Sequence, residues 1–235
     1  MSVTLNAAVV SDLGMLRPNN EDAAFAGSRV IAVADGIGGG PAGEVASQIV
    51  IRAIEAADDP EIDPLPALRR AVETANRLIK EAVEADPAAE GMGTTLTAIV
   101  LAGAVASMVH IGDSRAYLFR DSSLHQITRD DTYVQNLVDD GLITADQARH
   151  HPHKSVITQS LQGRTFSARY STVAISPGDV FLLCSDGLSD IVTDEAIENV
   201  LRTVTDPHAA AERLVKLALQ AGAPDNVTVI VTQPA

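Results

Sequence analysis

This chain has no tryptophan, and aromatic residues make up only 3% of it. A nucleic-acid surface built on base stacking is thereby excluded. Basic side chains are also scarce: 17 Lys and Arg stand against 31 Asp and Glu, a formal net charge of −14 over 235 residues. That balance opposes the phosphate neutralisation on which nonspecific nucleic-acid binding depends, so no nucleic-acid partner is expected. A lone cysteine, Cys184, rules out an internal disulfide framework and a zinc site made from several thiolates. Set inside an apolar run, Cys184 reads as an inert core thiol. The opening residues MSVTLNAAVVSDLG lack the charged start and long apolar core of a secretory signal, so a cytoplasmic location is expected.

What is present is a sequence able to bury a core, 46% hydrophobic and 20% charged. The stretch from Gly91 to Gly112 carries no charge and is long enough to cross a membrane. It is β-branched, contains Thr94, Thr95, Thr97 and Ser107, and breaks at Ala102-Gly103. Two buried strands joined by a tight turn are expected there, not a membrane span.

Other strand-like runs lie at Ala7–Val10, Val30–Ala34, Ala116–Phe119, Val180–Cys184 and Val227–Val231. Helical spacing marks residues 44–57 and 65–83, and two later helices begin near Thr193 and Asp206-Pro207. An irregular helical region separates the middle and late strands. Strands that follow one another without helices between them predict antiparallel sheets, and no linker or repeat divides the chain. A single α+β domain over residues 1–235 is expected.

Carboxylates recur where apolar runs end. Asp35-Gly36, Asp113-Ser114 and Asp186-Gly187 follow such runs, and Asp225-Asn226 precedes one. Asp-Gly by itself is ordinary turn chemistry. Four such places, together with Asn20-Glu21-Asp22, predict like charges gathered at one sheet rim, where a cation must offset them. Hard oxygen donors without matching His or Cys favour magnesium or manganese over zinc. Gly36, without a Cβ, can also bring its own carbonyl close to a ligand.

The segment G36-I-G-G-G-P-A-G43 imitates a dinucleotide fingerprint through Gly38, Gly40 and Gly43, with Asp58 at the distance of a ribose-binding acid. That reading requires Asp58 to end a second strand, whereas it follows a helix and precedes Pro60. Asp35 also sets a negative charge where a pyrophosphate would approach. His150, His151 and His153 read as a solvated helix end rather than a metal site. Ser114 and Ser189 lack the flanking pattern of a nucleophile elbow. Arg17, just before Pro18-Asn19-Asn20-Glu21-Asp22, reads either as a charge-balancing partner of the carboxylates or, more sharply, as a bidentate clamp on a substrate phosphate.

The motifs R17PNNED22, V33ADGIGGG40, G91MGTT95, H110IGDSR115, L183CSDGLSD190 and P224DNVTV229 together resemble the metal-dependent protein phosphatase (PPM) family, protein phosphatase type 2C. The likeness runs from about residue 7 to 231 and is to bacterial serine/threonine members that oppose protein kinases. It implies a four-layer α-β-β-α sandwich, two antiparallel sheets flanked by helices, with a flap at about residues 130–163. It implies two Mn2+ or Mg2+ ions per chain and room for a weaker third. Asp35 would bridge the pair, the Gly36 carbonyl would join one ion, and Asp186 and Asp225 the other. Asp113, Asp186 and the Ser155 region would hold the third, while Glu21, Asp22 and Asn226 would support ligands or waters.

On that resemblance a metal-activated water hydrolyses phosphoserine and phosphothreonine in proteins, Arg17 orienting the phosphate. The implied partners are phosphorylated proteins, a serine/threonine kinase among them, and the chain is expected to be a monomer. Eukaryotic members have a histidine just after the Asp-Gly pair, where Ile37 stands here; many bacterial members have one where Gly40 stands. The identity of the general acid is therefore left open. The alternative within this fold is a catalytically silent, phosphoprotein-binding or sensor member.

Overall fold

Fully apolar runs and alternating runs form two different kinds of strand, and the difference sets the layers. A computed structural model describes residues 5–38 and 41–234. Numbered in chain order, one sheet places β1 (Leu5–Asp12), β12 (Val227–Pro234), β11 (Val180–Cys184), β8 (Arg115–Arg120) and β9 (Ser123–Gln126) side by side. The other runs β10 (Arg169–Ala174), β7 (Val105–Ile111), β6 (Leu96–Ala102), β3 (Val30–Ala34) and β2 (Ala23–Ala26). Every pairing is antiparallel. A short ribbon joins β4 (Gly36–Ile37) to β5 (Gly93–Thr94).

β3 shows why the layers form. All five of its residues are buried, as a strand covered on both faces requires. Ile31 and Val33 point into the core between the sheets, against Phe181, Leu183 and Ile230. Val30, Ala32 and Ala34 face the opposite way, into a core shared with α1 (Pro41–Glu55) and α2 (Pro64–Ala85). On the far side, Leu182, Cys184, Val229 and Val231 meet α6 (Asp194–Thr203) and α7 (Pro207–Gln220) through Ile197, Leu201, Leu214 and Ala218. The architecture is therefore the expected α+β four-layer sandwich, helices outside two antiparallel sheets.

The charge-free stretch forms the hairpin of β6 and β7, paired from Leu96↔Ile111 to Ala102↔Val105. No helix among the described residues is long and apolar enough to cross a membrane. Thr193 and Asp206 cap α6 and α7, accepting hydrogen bonds from the amides of Ala196 (3.3 Å) and Ala209 (2.8 Å). The strands β2, β9 and β10 were not expected from the sequence. Each is the edge of its sheet, and β9 and β10 leave most of their side chains in solvent. With one face and one edge uncovered, their residues follow neither the alternating nor the fully apolar pattern.

Residues 130–163 carry α3 (Tyr133–Asp139) and α4 (Ala145–Arg149) and return to the ribbon, where Thr94 and Leu161 exchange backbone hydrogen bonds of 3.0 and 2.9 Å. The rival nucleotide acid has a structural role. Asp58 lies between α1 and α2, and its carboxylate accepts the amides of Ser28, Arg29 and Val30 at 2.8, 2.8 and 3.1 Å. No strand ends there, so the dinucleotide reading fails on topology.

Candidate metal centre

The strand registers bring the carboxylate-bearing ends together. Ala23 pairs with Ala34 and Val33 with Thr97, so the start of β2, the end of β3 and the start of β6 lie at one edge. Leu96 pairs with Ile111, adding the end of β7. In the second sheet Cys184 faces both Val229 and Arg115, which puts the end of β11 beside the starts of β12 and β8. The segment Gly112-Asp113-Ser114 passes from one sheet to the other at this same end.

Main-chain hydrogen bonds fix Asp35. Its amide donates to Thr95 Oγ1 (2.9 Å), while its carbonyl accepts from Thr94 Oγ1 (2.8 Å) and the Thr95 amide (2.9 Å). Thr95 Oγ1 is also 2.7 Å from Ser114 Oγ, beside Asp113. Gly36 has no room for a side chain, because a Cβ would fall 2.4 Å from the Gly43 carbonyl oxygen and 2.7 Å from that of Glu21. Glu21 is 6% exposed; its carbonyl accepts from Ser47 Oγ at 2.6 Å, which ties it to α1. Asp22 Oδ2 accepts from Ser185 Oγ at 2.8 Å.

Arg17 and Asp225 form an ion pair of 2.6 Å. Asn226 holds the loop that carries Arg17: its Oδ1 accepts the Glu21 amide at 2.8 Å, and its Nδ2 donates to the carbonyls of Leu13 (2.9 Å) and Asn19 (3.0 Å). Arg17, Glu21, Asp22, Asp35, Gly36, Asp225 and Asn226 thus lie in one connected group of loops. Asp113, Ser155 and Asp186 line a single cavity of about 160 Å³.

Desolvation, then the charges of Asp22, Asp186, Asp113 and Asp225, raises the Asp35 carboxyl well above the carboxylate range. Asp186 is raised well above it too, by desolvation and by Asp113, Asp190, Asp225 and Asp22. Desolvation and the Asp130 and Asp190 charges push Asp113 up to about 7. Asp22 rises to about 6, chiefly through desolvation. Each of these carboxyls is held where its ion is disfavoured, by burial and by like charge, so a cation placed among them would be favoured.

Two sequence-neglected residues share the cavity with Asp113 and Asp186. Asp190 stands four residues beyond Asp186, at the end of the one-turn helix α5 (Asp186–Ser189), and pairs with Lys154 at 2.6 Å. The i, i+4 spacing within L183CSDGLSD190 was the available signal. Ser189, dismissed as a nucleophile, is 2% exposed and its Oγ has no partner. His151 and His153 pack edge-on, ring centres 5.5 Å apart, beside Tyr133. Cys184 is fully buried, its thiol pushed up to about 12 mainly by desolvation.

Among the described residues, no group of three or more His, Cys, Asp or Glu side chains is placed so that it could hold a metal ion. The residues nevertheless fit hard cations. Asp22 Oδ1 and Asp113 Oδ1 are buried without any hydrogen-bond partner, an arrangement that costs free energy unless something else binds them. Oxygen donors stand near both: Ser185 Oγ at Asp22, and Asp186, Asp190 and Ser155 in the cavity of Asp113, which Arg115 and Lys154 also line. Such a set suits magnesium or manganese, which complete their shells with water.

A family model described as protein phosphatase 2C matches residues 18–220. The serine/threonine protein phosphatase PstP of Mycobacterium tuberculosis is 50% identical over 233 residues, which are 98% of this chain and 45% of that protein. The chain thus spans less than half the length of that relative. Protein phosphatase PhpP of Streptococcus pneumoniae is 34% identical over 236 residues, covering 96% of each chain. Among solved structures, the Mycobacterium tuberculosis serine/threonine phosphatase PstP/Ppp superposes with a TM-score of 0.94 over 98% of both chains. The PstP catalytic domain in complex with two manganese ions superposes at 0.93, with 48% identity over 99% of both.

Proposed function

The chain belongs to the protein phosphatase 2C family, and from that premise we propose that it hydrolyses phosphoserine and phosphothreonine in proteins, dependent on Mn2+ or Mg2+. The observation that carries this reading is the gathering of Asp22, Asp35, Asp113, Asp186 and Asp225 at one sheet rim, with two orphaned carboxylate oxygens, beside Arg17. Asp35, Gly36, Asp186 and Asp225 would hold two ions; Asp113, Asp186 and Ser155 would hold a weaker third. When bound, the ions would supply an activated water and offset charge on the phosphoryl oxygens.

The chain's own groups account for the rest. Arg17, half-exposed at the site, offers its guanidinium to two phosphate oxygens and fixes the ester for in-line attack. Asp225 orients that guanidinium, and Asn226 fixes the loop beneath it. The departing serine or threonine oxygen needs a proton. Ile37 cannot provide one, Gly40 lies outside the described residues, and no histidine lines the cavity of Asp113 and Asp186. Residues 130–163 act as a flap on one catalytic unit, with Lys154 latching it to Asp190. The partners are phosphoproteins, including a serine/threonine kinase, met by a monomer in the cytoplasm.

A catalytically silent sensor is the second reading, and the retained carboxylates and Arg17 weigh against it. The test is turnover of p-nitrophenyl phosphate and of a phosphothreonine peptide with manganese, magnesium or chelator, for the wild type and Asp35→Asn. Manganese-dependent turnover lost in chelator and in the variant supports the phosphatase. A folded, metal-loaded wild type inert on both substrates sinks it.

A further inference from the structure

Two of the most exposed large apolar side chains stand directly before the arginine assigned to the phosphate. Met15 is 62% exposed and Leu16 76%, and Leu13 just ahead of them is 40% exposed. Single exposed apolar residues are common and need no explanation. Here the backbone under them is fixed. Gly14 has φ +74°, and a Cβ there would lie 1.9 Å from the Asp225 carbonyl oxygen. Its amide donates to Asp12 Oδ1 (2.9 Å), the Met15 amide donates to the Ala223 carbonyl (2.9 Å), and Asn226 Nδ2 donates to the Leu13 carbonyl (2.9 Å).

We propose that Met15 and Leu16 form a specificity platform that takes a large apolar side chain adjacent to the phosphorylated residue of the substrate. This rests on the phosphatase reading above. If Arg17 holds the phosphate, neighbouring substrate residues lie within one or two steps of about 3.8 Å, the span between consecutive Cα atoms. With the backbone already held, only the two side chains lose freedom on contact, so more of their burial passes into binding than on a mobile loop. A protein of net charge −14 repels acidic flanking residues and attracts basic ones, whereas Met15 and Leu16 carry no charge and offer only apolar contact beside Arg17. Small esters that end at the phosphate would gain nothing from the platform.

The experiment compares p-nitrophenyl phosphate with three phosphothreonine peptides: Leu before the phosphoresidue, Leu after it, and Ser on both sides. Each is assayed with manganese for the wild type, Met15→Ser, Leu16→Ser and the double variant, whose folding is checked by thermal melting. The wild type is expected to favour one Leu peptide by about tenfold in kcat/KM, the scale of an apolar contact. That preference lies in KM, and the double variant loses it while keeping its p-nitrophenyl phosphate turnover. A wild type that treats the three peptides alike, or a preference that survives in the double variant, overturns the platform and leaves the phosphatase standing. Absence of p-nitrophenyl phosphate turnover by the wild type removes the phosphatase reading and the platform with it.

Discussion

Arg17 Nη2 stands 2.6 Å from Asp225 Oδ2, a pair made by residues 208 positions apart. The hydrogen bond to Asp225 is also the main cause that raises the arginine's pKa. The group assigned to the phosphate is therefore held by a carboxylate assigned to the ions. Both side chains keep a third or more of their surface in solvent, 46% and 34%.

Loss of Arg17 should therefore cost activity and leave the fold intact. Arg17→Ala is expected to lower kcat/KM on the order of 100-fold, as removal of one oriented donor to a transition-state oxyanion does. An exposed pair contributes about 0–1 kcal/mol to stability, so thermal unfolding should scarcely move. A melting point that collapses together with activity would mean that the pair is structural.

Gly14 offers the same test without touching the guanidinium. Its positive φ and the 1.9 Å approach to the Asp225 carbonyl leave no space for a methyl group. Gly14→Ala should displace the loop from residues 223–226, reduce activity nearly as far as Arg17→Ala, and add about 1–3 kcal/mol of destabilisation. Steady-state kinetics with urea unfolding checks both parts.

Metal-free protein should lose stability as pH rises. Asp22 and Asp113 ordinarily titrate at 3.8 and stand here at about 6 and about 7. The folded state thus keeps protons that the unfolded chain has released. That advantage is whole below pH 4 and is lost as pH climbs through 6 to 7. In chelator the melting point should be lower at pH 8 than at pH 5. Manganese should remove most of the difference, because the cation then takes the proton's place. Identical chelated melting points at the two pH values would contradict the charge crowding.

A buried chain of polar side chains leads toward Asp35. His110, 1% exposed, binds the Arg129 carbonyl through Nε2 (2.9 Å) and Thr97 Oγ1 through Nδ1 (2.9 Å), and Thr97 Oγ1 donates to the Ser114 carbonyl at 2.7 Å. His110→Phe leaves the Arg129 carbonyl without its donor and should cost about 1–3 kcal/mol. Combined with Thr97→Val, the loss should fall short of the sum of the two, since the residues share one bond. Urea unfolding of the two single variants and the double variant measures the coupling, and strict additivity would deny it.

The strands at the centres of the sheets were legible because burial on both faces writes itself into sequence. Val30–Ala34 and Val180–Cys184 coincide with β3 and β11, and the two strands expected between Gly91 and Gly112 are β6 and β7. Of the edge strands, β1 was legible through Ala7–Val10, whereas β2, β9 and β10 escaped because solvent on one side relaxes that demand. In the site, Asp35, Asp113, Asp186 and Asp225 could be picked out, three of them closing an apolar run and Asp225 opening one. Asp190 had only its place four residues after Asp186 to mark it, and Lys154 had nothing: a flap lysine looks like any other surface cation until it meets Asp190 at 2.6 Å.

The sequence by itself determined which segments become buried strands, where helices begin, and that hard oxygen donors follow the strand ends. These are local consequences of hydrophobicity, capping and chain reversal. Only the tertiary structure decided that Asp22, Asp35, Asp113, Asp186 and Asp225 share one rim, that Arg17 leans on Asp225, and that Met15 and Leu16 are displayed on a fixed loop beside it. Those relations depend on strand register across two sheets, in which a shift of one residue would turn each strand's side chains to the opposite face. Register is set by the packing of all layers at once, and no single segment of the chain carries it.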